Sequence, residues 1–285
     1  MSNDNKPPLT GGSPHGTTEL VTFSECPQKH GFKYGLKFES IHRPDSADSR
    51  DTGTLVHVGL ANFYGAQIKP VPLWVEDPYL AVVKQAQSSG WMHLLKSSVE
   101  TVREYIKVRS AKPVFGPIVA VEDPCETYIA TSDGKTHIIT TRLDLVAYYR
   151  GSLCSINHKT SVRLSYAEPD RAATTRLQFM LELVLARTKY SNVKWVLVNP
   201  VQTSRNREGP KIGDPKIVDI SPHAFSRLGR DISFYKAMIS AVQSAYPNPL
   251  DRPRSYQCMS RYGLCEFHPL CSQGYEALSQ YKRVA

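Results

Sequence analysis

Asp144 and Lys159 stand fifteen positions apart, with Asn157 two residues before the lysine, and no other side chains in this 285-residue chain are better spaced for chemistry. Asp144 lies within the apolar run Leu143, Leu145, Val146, a turn follows at Arg150-Gly151-Ser152, and residues 153–160 read as the returning strand of a hairpin. Side chains alternate along a strand, so Asn157 and Lys159 leave one face and Ile156 and His158 the other. Asp144, on the neighbouring strand, reaches the same spot. One carboxylate, one amide oxygen and one ammonium then converge. Such a set suits phosphodiester hydrolysis: hard oxygen ligands hold Mg²⁺ or Mn²⁺, the ion polarises the phosphoryl oxygen and acidifies a water, and the lysine orients that water or offsets developing charge.

The elements that must position these groups are legible as patterns. A helix is expected over 20–36, interrupted at Cys26-Pro27, and a second over 51–65 carrying His57; helical spacing of apolar residues over 80–107 predicts one or two more. From residue 118 the pattern changes to strands, at 118–122, 126–130, 137–149 and 153–160, with Ser132-Asp133-Gly134 as a hairpin turn. The helix expected over 170–190 places Leu177, Met180, Leu181, Val184 and Thr188 on one stripe against the sheet. Gln178 and Glu182 share the next stripe, one turn apart. An apolar strand over 193–198, a weaker one over 216–220 and a helix from Ser221-Pro222 to 245 follow. The order predicts an α/β fold with a mixed central sheet flanked by helices, a helical region before it and a cysteine-bearing segment after it.

Composition bounds the partners. A net charge of +9, with eleven Lys or Arg against six Asp or Glu over residues 157–220, favours a polyanion, although it suits any soluble protein equally. Arg163 and Arg171 lie nearest the candidate site in sequence, and Arg205 and Arg207 occupy a basic loop that could track phosphates or simply be solvated. No run approaches the roughly 18 apolar residues of a membrane helix. Residues 1–18 are polar, lack the apolar core of a signal peptide and are expected to be disordered, which gives a cytoplasmic location with reduced thiols. Six cysteines under those conditions argue for metal ligation over disulfides. Cys125 and Cys154 fall in strands as small buried hydrophobes, while Cys258, Cys265 and Cys271, spaced C-x6-C-x5-C, leave zinc, an iron–sulfur cluster or unrelated thiols open.

Taken in order, the motifs resemble the PD-(D/E)XK nuclease superfamily, whose pattern is an Asp on one strand and then Asp or Glu, any residue, Lys on the next. Asn157-His158-Lys159-Thr160 looks like the Asp-His-Lys-Thr word of its RecB-like branch with the second acid replaced by an amide. Phe23 to Lys29, with Phe32 and Tyr34, is similar to that branch's opening Cys-Pro-basic-aromatic helix; Gly53 to His57 matches its Gly-x-x-x-His word; and Gln178 begins its Gln-x-x-x-Tyr helix, with Glu182 at the last position. The trio of C-terminal cysteines together with Cys26 resembles the 4Fe-4S ligand set of AddB-type and CRISPR spacer-acquisition nucleases.

The resemblance implies a restriction-endonuclease-like core over 113–247, after a disordered tail at 1–18 and a helical region at 19–112, and before a cluster-binding segment at 248–285. It implies catalytic roles for Asp144, Asn157, Lys159 and Gln178, a Mg²⁺ or Mn²⁺ site of His57, Glu122, Asp144 and Asn157, and a cluster on Cys26, Cys258, Cys265 and Cys271 that closes the two ends of the chain around the core. Gln178 and Glu182 would touch the substrate backbone or the site lysine; a Glu182 turned to the metal would supply the charge Asn157 lacks. The activity implied is exonuclease action on single-stranded DNA ends in recombination, repair or spacer processing, alongside a helicase or recombination partner. The neutral Asn157 leaves open a DNA-binding scaffold that has kept the fold and lost the chemistry.

Overall fold

A computed structural model describes residues 17–40, 47–130, 134, 136–166, 173–203, 209–220, 222–255, 259–260 and 263–284. The chain divides into two compact units. One is built on Asp48–Thr127 and Thr140–Ile220, and the other on Gly12–Ala47, Tyr128–Ile139 and Ser221–Ala285.

In chain order the elements are α1 (Thr17–Glu25), α2 (Pro27–His30), β1 (Phe38–Ser40), α3 (Ala47–Gly65), α4 (Pro78–Ser88), α5 (Leu95–Ala111), β2 (Ile118–Ala130), β3 (Thr136–Tyr149), β4 (Ser152–Ser161), α6 (Ala173–Lys189), β5 (Trp195–Gln202), β6 (Lys211–Ile212), β7 (Lys216–Ile217), α7 (Pro222–Ala245), β8 (Met259–Ser260), β9 (Gly263–Leu264), α8 (His268–Gln273) and β10 (Tyr281–Arg283). The expected mixed α/β core is present. The sheet runs β2-β3-β4-β5-β6, with β7 also paired to β5. β4 lies antiparallel to β3 and parallel to β5, with α6 as the crossover between β4 and β5. The two strands expected at 118–122 and 126–130 are one continuous strand, β2, which absorbs its irregular middle in a left-handed backbone at Glu122 (φ 49°). The expected hairpin turn lies outside the described residues except for Gly134.

Two different helical layers cover the two faces of this sheet. Leu145, Ala147 and Tyr149 of β3, Cys154 and Ile156 of β4, and Leu197 and Val201 of β5 pack with Leu55, Leu60 and Tyr64 of α3, Val82 of α4 and Val102 and Tyr105 of α5. The alternate residues of β4 face α6, whose Leu181, Leu185 and Ala186 are fully buried. β5 is buried along nearly its whole length, as a parallel strand covered on both sides must be. Local signals account for the helix starts. Asp77 caps α4 by accepting the Tyr79 and Leu80 N–H groups, and Pro78 follows at the first helical position, where its missing N–H forfeits no helical bond. Gly53 lets α3 approach β4 closely: a β-carbon there would stand 2.6 Å from the Thr160 hydroxyl, an overlap that would cost about 1–3 kcal/mol. That contact sets α3 one turn before His57.

The second unit ties the early and late parts of the chain together. β1 pairs antiparallel with β10, and Phe32, Phe267, Leu270, Ala277 and Tyr281 form a small core against which Cys265 and Cys271 pack. Glu19 of α1 accepts a hydrogen bond from Lys236 of α7 (3.0 Å) and meets the buried His30 of α2 (3.2 Å). Among the described residues no helix is long and apolar enough to cross a membrane.

Candidate metal centre

Asp144 occupies the place where the β3–β4 ladder, which runs from Tyr149↔Ser152 to Leu145↔Ile156, gives way to a side-chain contact: its Oδ2 accepts the backbone N–H of His158 at 2.9 Å. The carboxylate is thereby fixed at the end of the paired region. His57 of α3 brings its Nδ1 to 3.6 Å from the same oxygen. Glu122 comes from β2, where its left-handed backbone is disfavoured for a residue with a β-carbon. One ligand atom from each of His57, Glu122 and Asp144 lies within 4.8 Å of the others.

Two carboxylates this close repel. Burial, and after it the neighbouring Asp144 charge, push the Glu122 carboxyl up to about 8 against the opposing pull of Arg142. Arg142, two residues before Asp144 on β3, meets Glu122 Oε2 at 2.7 Å and offsets part of the charge. Two carboxylates and an imidazole are a donor set for a divalent cation with preference for oxygen.

The next set of contacts follows from the match between a strand and a helix. Ser155, Asn157 and Lys159 leave the same face of β4 at intervals of about 6.6 Å, close to the roughly 6 Å between residues four apart on a helix. α6 uses that match. Glu182 accepts from the Ser155 hydroxyl (2.6 Å) and the Asn157 amide (3.0 Å), and Gln178, one turn earlier, accepts from the Lys159 ammonium (3.3 Å). Glu182 is 3% exposed; burial raises its carboxyl to about 7, while its two hydrogen bonds and the Lys159 charge oppose the rise. The Asn157 amide spends its NH₂ on Glu182, which leaves Oδ1 as its lone-pair atom.

On the opposite face of β4, His158 enters a buried polar network. Arg109 of α5 donates to Asn199 Oδ1 (2.9 Å) and to the Gly213 carbonyl (2.6 Å). Arginine only donates, so the remaining Asn199 nitrogen donates to His158 Nδ1 (2.8 Å) and to the Tyr105 hydroxyl (2.6 Å), which is shared with Tyr64 at 2.7 Å. Burial drives the His158 imidazole down to about 3, so it is neutral with its proton on Nε2. Its ring stacks on Tyr64 and meets His57 edge-on at 6.0 Å. This network supports the backbone that holds Asp144 without adding a cation from His158.

The residues singled out in the sequence therefore fall into separate groups. His57, Glu122 and Asp144 meet one another; Asn157 meets Glu182; Lys159 meets Gln178. Arg163 is exposed just beyond the end of β4, and Arg171, Arg205, Arg207 and Cys258 lie outside the described residues. Cys26, Cys265 and Cys271 belong to the second unit. Sequence reasoning missed Ser155, Arg142, Arg109 and Asn199. An asparagine inside the apolar run of β5 was the available signal, since a buried amide demands partners from another element.

Both raised carboxyls give the metal-free protein a definite pH response. The folded state keeps these protons to about pH 7 and 8, well above the ordinary value of 4.5. Their contribution is therefore most favourable below the unfolded-state value and is lost as pH climbs through about 8. In EDTA the melting temperature is expected to fall by roughly 5 °C between pH 5.5 and 8.5, and saturating Mn²⁺ is expected to recover the loss at the alkaline end. Differential scanning fluorimetry across that range checks both; a flat EDTA profile contradicts the electrostatic account.

Comparison with known proteins agrees with this architecture. The family model described as the PD-(D/E)XK nuclease superfamily matches residues 17–272. A crystal structure from Eubacterium rectale, provisionally described as an exonuclease, is similar over 92% of this chain and 87% of that one, with a TM-score of 0.56 at 8% identity, which is a likeness of fold. A second solved structure, described as SSO0001, reaches only a TM-score of 0.37 at 14% identity, over 87% of this chain and 95% of that one. No curated protein matches the chain in sequence. With a mixed sheet in place and a family match across most of its length, the chain belongs to the PD-(D/E)XK nuclease superfamily.

Proposed function

We propose that this protein is a divalent-metal-dependent DNA nuclease, acting as an exonuclease on single-stranded ends in recombination, repair or spacer processing, of the RecB/AddB-like branch. The observation that carries the metal dependence is the meeting of His57, Glu122 and Asp144 within 4.8 Å at the end of the β3–β4 ladder. His57, Glu122, Asp144 and Asn157 would hold Mg²⁺ or Mn²⁺, and a bound ion supplies Lewis acidity at the phosphoryl oxygen and acidifies a water. Gln178 steadies the Lys159 ammonium, which is suited to orienting that water and offsetting charge on the phosphate. The imidazole favours Mn²⁺ over Mg²⁺ in affinity. Arg163, Arg171, Arg205 and Arg207 would contact the DNA backbone.

The branch assignment rests on the motifs and gains support from the second unit. The Cys26 sulfur accepts backbone N–H groups from Lys29 (3.4 Å) and Ser255 (3.5 Å), the kind of bond that stabilises a ligating thiolate. Cys271 lies 2.9 Å from Gln28, two residues along from Cys26, and Cys265 joins the same small core. With Cys258 as the fourth ligand these would carry a 4Fe-4S cluster. Zinc is the alternative.

Cleavage of end-labelled single-stranded DNA in Mn²⁺ tests the activity. The expected outcome is stepwise shortening that is abolished by EDTA and reduced at least ~100-fold in Asp144→Ala, as for loss of an essential ligand. Tight binding of DNA by the unaltered chain without cleavage in either metal would instead support the scaffold reading that the neutral Asn157 raises. Anaerobically purified protein is expected to be brown and to contain iron; stoichiometric zinc without iron contradicts the cluster.

A further inference from the structure

The second acidic position of the motif is an amide, yet a carboxylate stands directly behind it. We propose that Glu182 of α6 supplies the negative charge that Asn157 lacks, acting on the metal centre through the Asn157 amide. Glu182 is thus a positioning residue, and the inference rests on the metal-dependent reading given above.

Three observations carry it. First, Glu182 accepts from Asn157 Nδ2 at 3.0 Å, which fixes the amide so that the nitrogen faces α6 and the oxygen is the atom available to a cation. An anion accepting that N–H polarises the amide and makes its oxygen a better ligand than an isolated asparagine would be. Second, Glu182 is 3% exposed and the two side chains that donate to it, Ser155 and Asn157, are both neutral. The nearby cation, Lys159, donates to Gln178, so among the described residues the carboxylate's own hydrogen bonds come from neutral groups; burying it that way is costly, and a glutamine would serve packing alone at lower cost. Third, Gln178 one turn away performs the parallel service for Lys159, so a single helix stripe steadies both polar side chains of the motif strand. At this pair of positions the amide stands on β4 and the acid on α6, where the motif it resembles has the acid on the strand and a tyrosine on the helix, so the charge has changed elements.

That exchange is directly testable by moving the charge back. In Asn157→Asp alone, the new carboxylate would face Glu182 across a buried contact. In the double variant N157D/E182Q the acid returns to β4 and an amide is placed on α6, with a donor and an acceptor still matched. Mn²⁺ affinity of the full chain is measured by calorimetry and by electron paramagnetic resonance of free Mn²⁺, with melting in EDTA as an independent reading. We expect Glu182→Gln to weaken Mn²⁺ binding about tenfold or more, the double variant to return close to the wild-type value, and N157D alone to melt below the double variant.

Equal Mn²⁺ affinity in wild type and Glu182→Gln overturns the inference while leaving the metal centre intact. So does a folded double variant that binds as weakly as Glu182→Gln. If Glu182→Gln fails to fold, the double variant decides: recovery of folding with Mn²⁺ binding supports the exchange, and folding without binding refutes it. A wild-type chain that binds no Mn²⁺ overturns the metal-dependent reading itself, a result distinct from the others.

Discussion

The bond from the His158 backbone N–H to the Asp144 carboxylate is the contact on which the centre depends. It lies just past the last paired residues of β3 and β4, so Asp144 is reachable from both faces of the sheet. From one side α3 brings His57; from the other, α6 brings Glu182, whose carboxyl is itself raised in part by the Asp144 charge. A side chain in the middle of a regular ladder would face one layer only. Ending the ladder here makes a two-sided site out of a one-sided strand.

Electrostatics then decides what the site can do. Three acids, Glu122, Asp144 and Glu182, feel one another, and the partial compensations are Arg142 on Glu122 and Lys159 near Glu182. The neighbouring histidine of the motif is kept out of this balance: burial leaves His158 neutral, and the Arg109–Asn199–Tyr105 network holds its ring by hydrogen bonds. Without a cation the repulsion is relieved by protons held on Glu122 and Glu182; a divalent cation would take the place of those protons, and removing it should be felt by the fold as well as by the chemistry.

Much of this arrangement is legible in the amino-acid sequence. Asp144 stands out as an acid in an apolar strand, and the alternation along β4 separates Asn157 and Lys159, which face α6, from His158, which faces α3 and α5. The one-turn spacing of Gln178 and Glu182 puts both on a common stripe. Three features are not legible there. The left-handed backbone of Glu122 within β2 is announced by no glycine. Arg142 pairs with Glu122 across strands, and the Arg109–Asn199 contact spans ninety residues; such pairings are fixed by tertiary packing, which local pattern does not encode. That Glu182 bonds Asn157 depends on the distance between α6 and β4, which no spacing along the chain reveals. The motif's missing acid and the nearby Glu182 are both visible in the sequence; the bond that joins Glu182 to Asn157 is not.

Anomalous diffraction from crystals grown with Mn²⁺ would locate the cation among these side chains. A single strong Mn²⁺ peak is expected, coordinated by His57, Glu122 and Asp144, with the Asn157 Oδ1 turned toward it. Well-ordered crystals with millimolar Mn²⁺ in which these side chains coordinate nothing, or in which Asp144 instead pairs with an arginine or lysine, would contradict that expectation.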